Sequence, residues 1–518
     1  MAKAGAKVRK SKTKKPPRRA ALPQGARVLG VTKAKLSLSR RPVQVERLPT
    51  PEGFPHRKRI HTRKFIPKLP FGDVVGDPDP NLPLALGGAG PSGAMAAPAR
   101  PGAMAAPAQP VVAAAAGIKV QRNIPLDAVA TADTASHVCE PSVAINGNQL
   151  FVTGNWFASH SGDGGQTFQY VNPYAAFPSP TGSGFCCDQV VLFSPRFDCF
   201  FWLLQYTQNS QGENIQRVAH ASSDDVAAGR WSYVDISSAS LGLSGSWLDF
   251  PDLGLTDNKL YVTTNAFSSN SWSGTALVRI DIDKLLAGQV VAEKIVTQEL
   301  FNFRLAQNCD DTIYWATHVS NSRMRVYAWK EANAAPTNFE LDIPTWTRPP
   351  YSSITPNGDN WLGRVDGRIV AGARSGNELF FGWTAGEGGV NARPNPYVQI
   401  ARINLTTSGL LDSTNLWDPD DAVCCPALGT DQNGDVGVSY SIGGSRRFSS
   451  HVVGYITGNE AHSITFSGQR SPADQKWGDY LAVRRCYPGE DRLIATGYTL
   501  QNATGTNDAV PHLTIFSR

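Results

Sequence analysis

No stretch of the 518 residues is apolar for long enough to cross a bilayer, and no apolar run of the secretory-leader kind follows the first basic residues. A start this rich in lysine and proline also makes a poor amphipathic transit helix. The chain therefore reads as soluble, with its compartment open: inside the cell, or outside by a route the sequence does not spell. There are eight cysteines and no CxxC pair, which removes the commonest zinc-site spacing. Acidic residues are nearly missing from one end. Residues 1–70 hold 21 of the 49 Lys+Arg but only 2 of the 43 Asp+Glu, so they carry +19 and the remainder −13. The net charge of +6 describes neither part.

The basic end, taken as residues 1–72, includes Pro16-Pro17-Arg18-Arg19, Arg57-Lys58-Arg59 and Arg63-Lys64. Charge and proline at this density predict a disordered, solvated tail. Its functional readings are nuclear import, nucleic-acid contact or another anionic partner. Residues 73–117 form a linker, in which the Ala/Pro-rich stretch 93–101 is nearly repeated by 102–110. Such repeats make a semi-extended spacer and carry no pocket. The folded domain is expected over 118–518.

Within that domain one unit recurs: a short strand rich in Ala, Gly and Val, a tight turn, then a larger apolar strand. Copies begin at 141, 188, 251, 304, 368, 426 and 480. Spacings of this size fit blades of about four strands in a β-propeller. The small first strand suits a crowded axis, and the bulkier second suits packing between blades. The fold class is thus all-β, a propeller of about seven four-stranded blades, with six as the alternative. The last unit has room for about three strands. The spare run 118–124 is expected to pair with 512–517, closing the ring and removing both edges.

One turn carries a motif. Ser161-Gly162-Asp163-Gly164-Gly165-Gln166-Thr167-Phe168 reads S-x-D-x-G-x-T-F, with side chains that bond backbone groups a residue or two ahead and glycines that supply positive φ. It resembles the Asp box of sialidase-type (BNR) β-propellers, where the box closes the hairpin between the two outer strands of a blade. A degenerate copy stands at Ser223-Asp224-Asp225 before Gly229-Arg230-Trp231. The resemblance implies the fold. It would also imply an exo-glycosidase with an arginine triad, an Asp acid/base and a Glu-assisted Tyr nucleophile. Phe303-Arg304-Leu305-Ala306 is similar to the family's F-R-I-P but falls mid-chain and lacks the proline. Sialidases proper have six blades. No residue set matches position by position, so only the fold is carried over.

Functional groups of a propeller gather where the innermost strands begin. Those positions offer His137, Cys139 and Glu140; Cys186, Cys187 and Asp188; Trp247, Asp249 and Asp252; and Arg304. They continue with Asp359, Arg364, Asp366 and Arg368; Asp421, Cys424 and Cys425; then Trp477, Asp479 and Tyr480. Converging carboxylates could raise one another's pKa or hold a structural cation, though aspartates here also serve as caps of strand ends. No cofactor and no dedicated metal site is implied. For the adjacent cysteines a bridge between neighbours is disfavoured by the short Cα separation. Cross-blade bridges, buried thiols or a thiol site with His137 are the alternatives.

Three functions follow. The first is a binding module that takes a carbohydrate or other polar ligand at the channel mouth, through Glu140, Asp188 and Asp249 with the ring faces of Trp247, Trp477 and Tyr480. The second is a divergent sialidase-like hydrolase, for which Asp479, Tyr480, Arg304 and Arg368 are the catalytic candidates. The third is a scaffold acting through the basic tail.

Overall fold

The computed structural model describes residues 29–39, 41–51, 117–130, 135–136, 138–180, 183–268, 271–458, 460–472, 475–501 and 509–518. Seven antiparallel sheets follow one another in chain order, each with its strands laid down from the inside outwards. Blade 1 spans 142–171, blade 2 185–237, blade 3 247–297, blade 4 304–342, blade 5 369–416 and blade 6 421–466. Blade 7 takes three strands from 483–517 and its fourth, Lys119–Pro125, from the start of the domain. In that closure Ile124 lies opposite Leu513 and Asn123 opposite Thr514. The ring is therefore seven-bladed and closed by the segment expected to close it.

The inner strands are small because their neighbours leave no room. A Cβ on Gly372 would stand 2.7 Å from the Leu305 carbonyl oxygen, and one on Gly429 2.7 Å from that of Val483. Real Cβ atoms do not approach backbone so closely, so each site admits only glycine. The strands beyond the innermost carry the bulk. Phe151 of blade 1 meets Trp202 and Trp231 of blade 2 at 4.8 and 5.0 Å between ring centroids. Apolar side chains filling the wedges between blades supply most of the core.

The motif turn joins Phe157–Ser161 to Gln169–Val171, the third and fourth strands of blade 1. Asp163 accepts from the Gln166 and Thr167 amides at 2.9 and 3.0 Å and from the Thr167 hydroxyl at 2.6 Å. Ser161 Oγ accepts from the Gly165 amide at 2.8 Å. These bonds to Asp163, led by those from Thr167, hold its carboxyl well below the usual range. Gly164 and Gly165 take φ of 72° and 84°. At the equivalent turn of blade 2 the degenerate copy forms a one-turn helix, Ser223–Ala228, capped by Ser222 and ended by Gly229 at φ 74°.

One expectation fails between residues 29 and 51. These residues, assigned to the disordered tail, run as a strap along the outer edges of three blades. Val31–Ala34 adds a fifth strand to blade 3, and Ser37–Leu38 and Val43–Gln44 pair with the outer strand of blade 2. Leu48 then exchanges both backbone hydrogen bonds with Tyr170 of blade 1, at 2.9 and 2.7 Å. The physical reason is that an edge strand offers unpaired N–H and C=O groups to any extended segment. Here Leu29, Ala34 and Val45 are apolar enough to be buried on the way. Composition averaged over 70 residues hid this segment. The remainder of the tail and the linker, residues 1–28 and 52–116, lie outside the described residues.

Candidate functional site at the upper mouth of the channel

The inner strands all begin at one end of the central channel, here called the upper mouth. The register is broken there in the inner strands of blades 2, 3, 5 and 6, among them between Asp249 and Asp252 in blade 3 and between Cys424 and Ala427 in blade 6. A bulge inserts an extra residue and re-aims its side chain. Phe250 and Cys425, the inserted residues, take φ of 52° and 54°, and Glu140, just ahead of blade 1, takes 47°. Such backbone is uncommon for residues with a Cβ, and its clustering around one opening marks a place where fixed side-chain directions matter.

Those directions assemble a charge network. Arg368 is held from two sides: its Nε lies 2.6 Å from Asp366 and its Nη2 3.5 Å from Asp479. Arg364 Nη1 reaches the other oxygen of Asp479 at 3.1 Å and Glu140 at 3.7 Å. Glu140 also accepts from Asn155 Nδ2 at 3.0 Å and from the Asp479 amide at 3.3 Å. The Arg368 guanidinium lies 3.9 Å from the centroid of the Phe250 ring, and the Tyr480 ring packs edge-on against Phe250 at 5.4 Å. Glu140, Asp366, Arg368, Asp479 and Tyr480 are buried, whereas Arg364 and Asp188 keep part of their surface open. Each charge is thus paired before any ligand arrives.

Tyr480 is different. Its hydroxyl is buried and has no hydrogen-bond partner among the described residues. Burial, then the charges of Asp188, Glu140 and Asp479, hold the phenol far above its ordinary pKa, with Arg304 pulling the other way. It is a neutral phenol at any physiological pH.

Of the residues expected here, the structure brings Glu140, Asp188, Arg368, Asp479 and Tyr480 together. Asp249 stands beside them and accepts from Gln205 Nε2 at 2.9 Å. Arg304 lies deeper, where its charge acts on both Tyr480 above and Arg484 below, and it faces Asp252 at 3.4 Å. Asp252 accepts from the Leu253 amide beside it and from the Leu305 amide of blade 4, and burial raises its pKa despite Arg304. Three expectations need correcting. Tyr480, expected to offer a ring face to a sugar, is only 3% exposed and packs against Phe250. Trp247 and Trp477 offer no open ring face: they are 1% and 0% exposed, and Trp477 stacks on Tyr498 at 4.3 Å while donating to Ser441. Both are large enough to be consumed by the wedge between blades. Phe250, which sequence reasoning missed, occupies the central position instead. Its signal was Asp249-Phe250-Pro251-Asp252, a proline in an inner strand, where a bulge is one of the few permitted contexts.

The neighbouring residues Cys186 and Cys187 are bonded to each other, with their Cα atoms 3.7 Å apart. The sequence argument had set this pairing aside. They lie partly exposed beside Trp247, Phe267, Trp272 and Phe301. Cys424 and Cys425 remain thiols, and Cys425 donates to the Gly478 carbonyl at 2.8 Å. The hydrogen bond with the adjacent Cys424, and then burial, push the Cys425 pKa up, leaving it an unreactive group. Among the described residues no group of three or more His, Cys, Asp or Glu side chains is arranged to hold a metal ion, and His137 lies outside them.

No protein-family model matches the chain, and no curated protein matches it. Solved structures do resemble it at the level of fold. An α-L-arabinofuranosidase from Fusarium graminearum, bound to an iminosugar inhibitor, is 11% identical over 73% of this chain and 92% of its own, with a TM-score of 0.38. An α-L-arabinanase from Penicillium chrysogenum in complex with arabinobiose is 9% identical over 76% and 98%, with a TM-score of 0.38. A mutant of AofleA from Arthrobotrys oligospora is 12% identical over 64% and 88%, with a TM-score of 0.36. Among the described residues, no helix is long and apolar enough to cross a membrane.

Proposed function

We propose that the upper mouth binds a neutral polar ligand, a carbohydrate, and does not turn it over rapidly. The observation that carries this reading is the pairing of Arg364 and Arg368 with Glu140, Asp366 and Asp479. Guanidiniums already matched to carboxylates do not favour an anionic sugar, because binding one would break buried pairs. What such a mouth offers is a dense set of fixed acceptors and donors. Asp188 and Arg364 stand at the surface of that set, with Glu140 and Asp249 beneath them. Hydroxyl groups, which both donate and accept, satisfy a mixed array of this kind.

A hydrolytic reading has one specific observation in its favour, the unpartnered hydroxyl of Tyr480 close to three carboxylates. For it to act, a carboxylate would have to take its proton in the transition state. The burial that keeps this phenol neutral works against that role.

The test is a glycan array run on the full chain beside a fluorogenic sialoside assay, with a Tyr480→Phe variant. Retention on neutral glycans without hydrolysis supports the binding reading. Hydrolysis that disappears in Tyr480→Phe replaces it with the enzymatic one. Absence of both hands the function to residues 1–70 and their anionic partner.

A further inference from the structure

Among the described residues, the lower end of the channel holds an arginine that no carboxylate pairs with directly. A cavity of about 280 Å³ opens there between the far ends of the inner strands of blades 1, 2, 3, 4 and 7. Its charged lining is Arg196, Asp257, Asp310, Arg484, Arg485 and Glu490. Two of the carboxylates are engaged: Glu490 with Arg485 at 3.1 Å, and Asp310 with Arg374 of blade 5. Arg485 also donates to the carbonyls of Thr430 and Asp431, both at 3.0 Å. Arg484 has nothing comparable. Its Nη1 donates only to the carbonyl of its own neighbour Val483, at 3.3 Å, and its Nε is buried with no acceptor. The carboxylate whose charge does reach it, Asp252, is already taken by Arg304 and two backbone amides.

We propose that this cavity is a binding site for a small, singly charged carboxylate, with Arg484 as its principal donor and Arg196 as a second cation at the rim. A guanidinium cannot shed its proton at neutral pH, so an unmatched one inside a fold is a standing cost that a counter-ion relieves. Burial first, and then the charge of Arg304, pull the Arg484 pKa down to about 10, against the attraction of Asp252. The two terminal nitrogens of a guanidinium fit both oxygens of a carboxylate in one plane. Asp257 sets the charge limit. Burial and the nearby Glu331 and Asp310 raise its pKa, Arg196 lowers it, and it forms no ion pair among the described residues. A second negative charge on the ligand would meet it.

The experiment uses the full chain with acetate as the probe, ionic strength held constant with chloride. The thermal midpoint is expected to rise with acetate and then to climb with the logarithm of its concentration, as for a ligand that binds only the folded state. Arg484→Met should abolish the rise, and Arg484→Lys should require about tenfold more acetate, since a point charge replaces a planar fork. Asp257→Asn should lower the acetate needed. Equal midpoints in acetate and chloride, or an unchanged acetate response in Arg484→Met, would overturn the site. Phosphate, largely dianionic above neutrality, provides the second arm; stabilisation at lower concentration than acetate overturns the assignment to a carboxylate. Should Arg484→Met fail to fold, the lysine and Asp257→Asn variants carry the same decision.

Discussion

The two mouths of the channel are made from the same seven inner strands, yet they handle charge in opposite ways. Above, Arg364 and Arg368 share three carboxylates, and the backbone itself is bent into positive φ to bring Phe250 and Glu140 into place. Below, Arg484 sits on a regular strand beside a cavity, and among the described residues its side chain hydrogen-bonds only a neighbouring carbonyl. Arg304 and Asp252 divide the two regions. The difference teaches that a buried charge is informative by its partners. A saturated network argues for a preset surface that selects a neutral ligand. An unmatched cation argues for a ligand that brings the missing charge.

The largest expected effect lies at the upper mouth. Asp479→Ala leaves the buried Arg368 and the half-buried Arg364 with fewer partners and should cost about 3–5 kcal/mol, read from the denaturant midpoint. A loss below about 1 kcal/mol would mean that the network is not worth its geometry, and the contrast between the mouths would collapse.

Acidification gives the next effect and isolates the arginine–carboxylate contrast from histidine. Burial holds His318 and His451 at about 3, with Arg348 lowering His318 further. Their folded pKa values lie below the unfolded value near 6.5, so the unfolded chain binds protons that the fold refuses. Stability from this source is complete above pH 6.5 and is lost as pH falls towards 3, by up to about 1.4 kcal/mol per pH unit for each residue. His451→Gln should flatten the slope of stability between pH 6.5 and 5. An unaltered slope would show that His451 titrates in the fold.

The smallest effect is expected below. Arg484→Met in chloride alone should change stability by less than about 1 kcal/mol, or raise it, because an apolar side chain replaces a half-buried charge with no carboxylate paired to it. A loss as large as that of Asp479→Ala would show that Arg484 is well partnered, and the two mouths would be alike.

Much of this architecture was legible before any coordinates. The recurring small-then-bulky strand pair located all seven inner strands, their starts within five residues, because crowding at an axis favours small side chains, as Gly372 and Gly429 show. The closing strand was legible because the last unit ran short. Glu140, Asp188, Arg368, Asp479 and Tyr480 could be grouped because each stands just ahead of, or at the start of, an inner strand. What was not legible depended on contacts between distant residues. Trp247 and Trp477 carry the right chemistry for a sugar, but burial decided their role. The strap at 29–51 is too short and too polar to announce itself beside so many lysines. Arg484 looks like any strand arginine until the partners around it are counted.

The most direct test of the central claim is a single glycan array comparison of the unaltered full chain, Asp188→Asn and Arg484→Met. The account predicts retention on neutral glycans by the unaltered chain, a drop of tenfold or more, about 1.4 kcal/mol, in Asp188→Asn, and full retention in Arg484→Met. Preference for sialylated glycans, or equal loss in both variants, would contradict it.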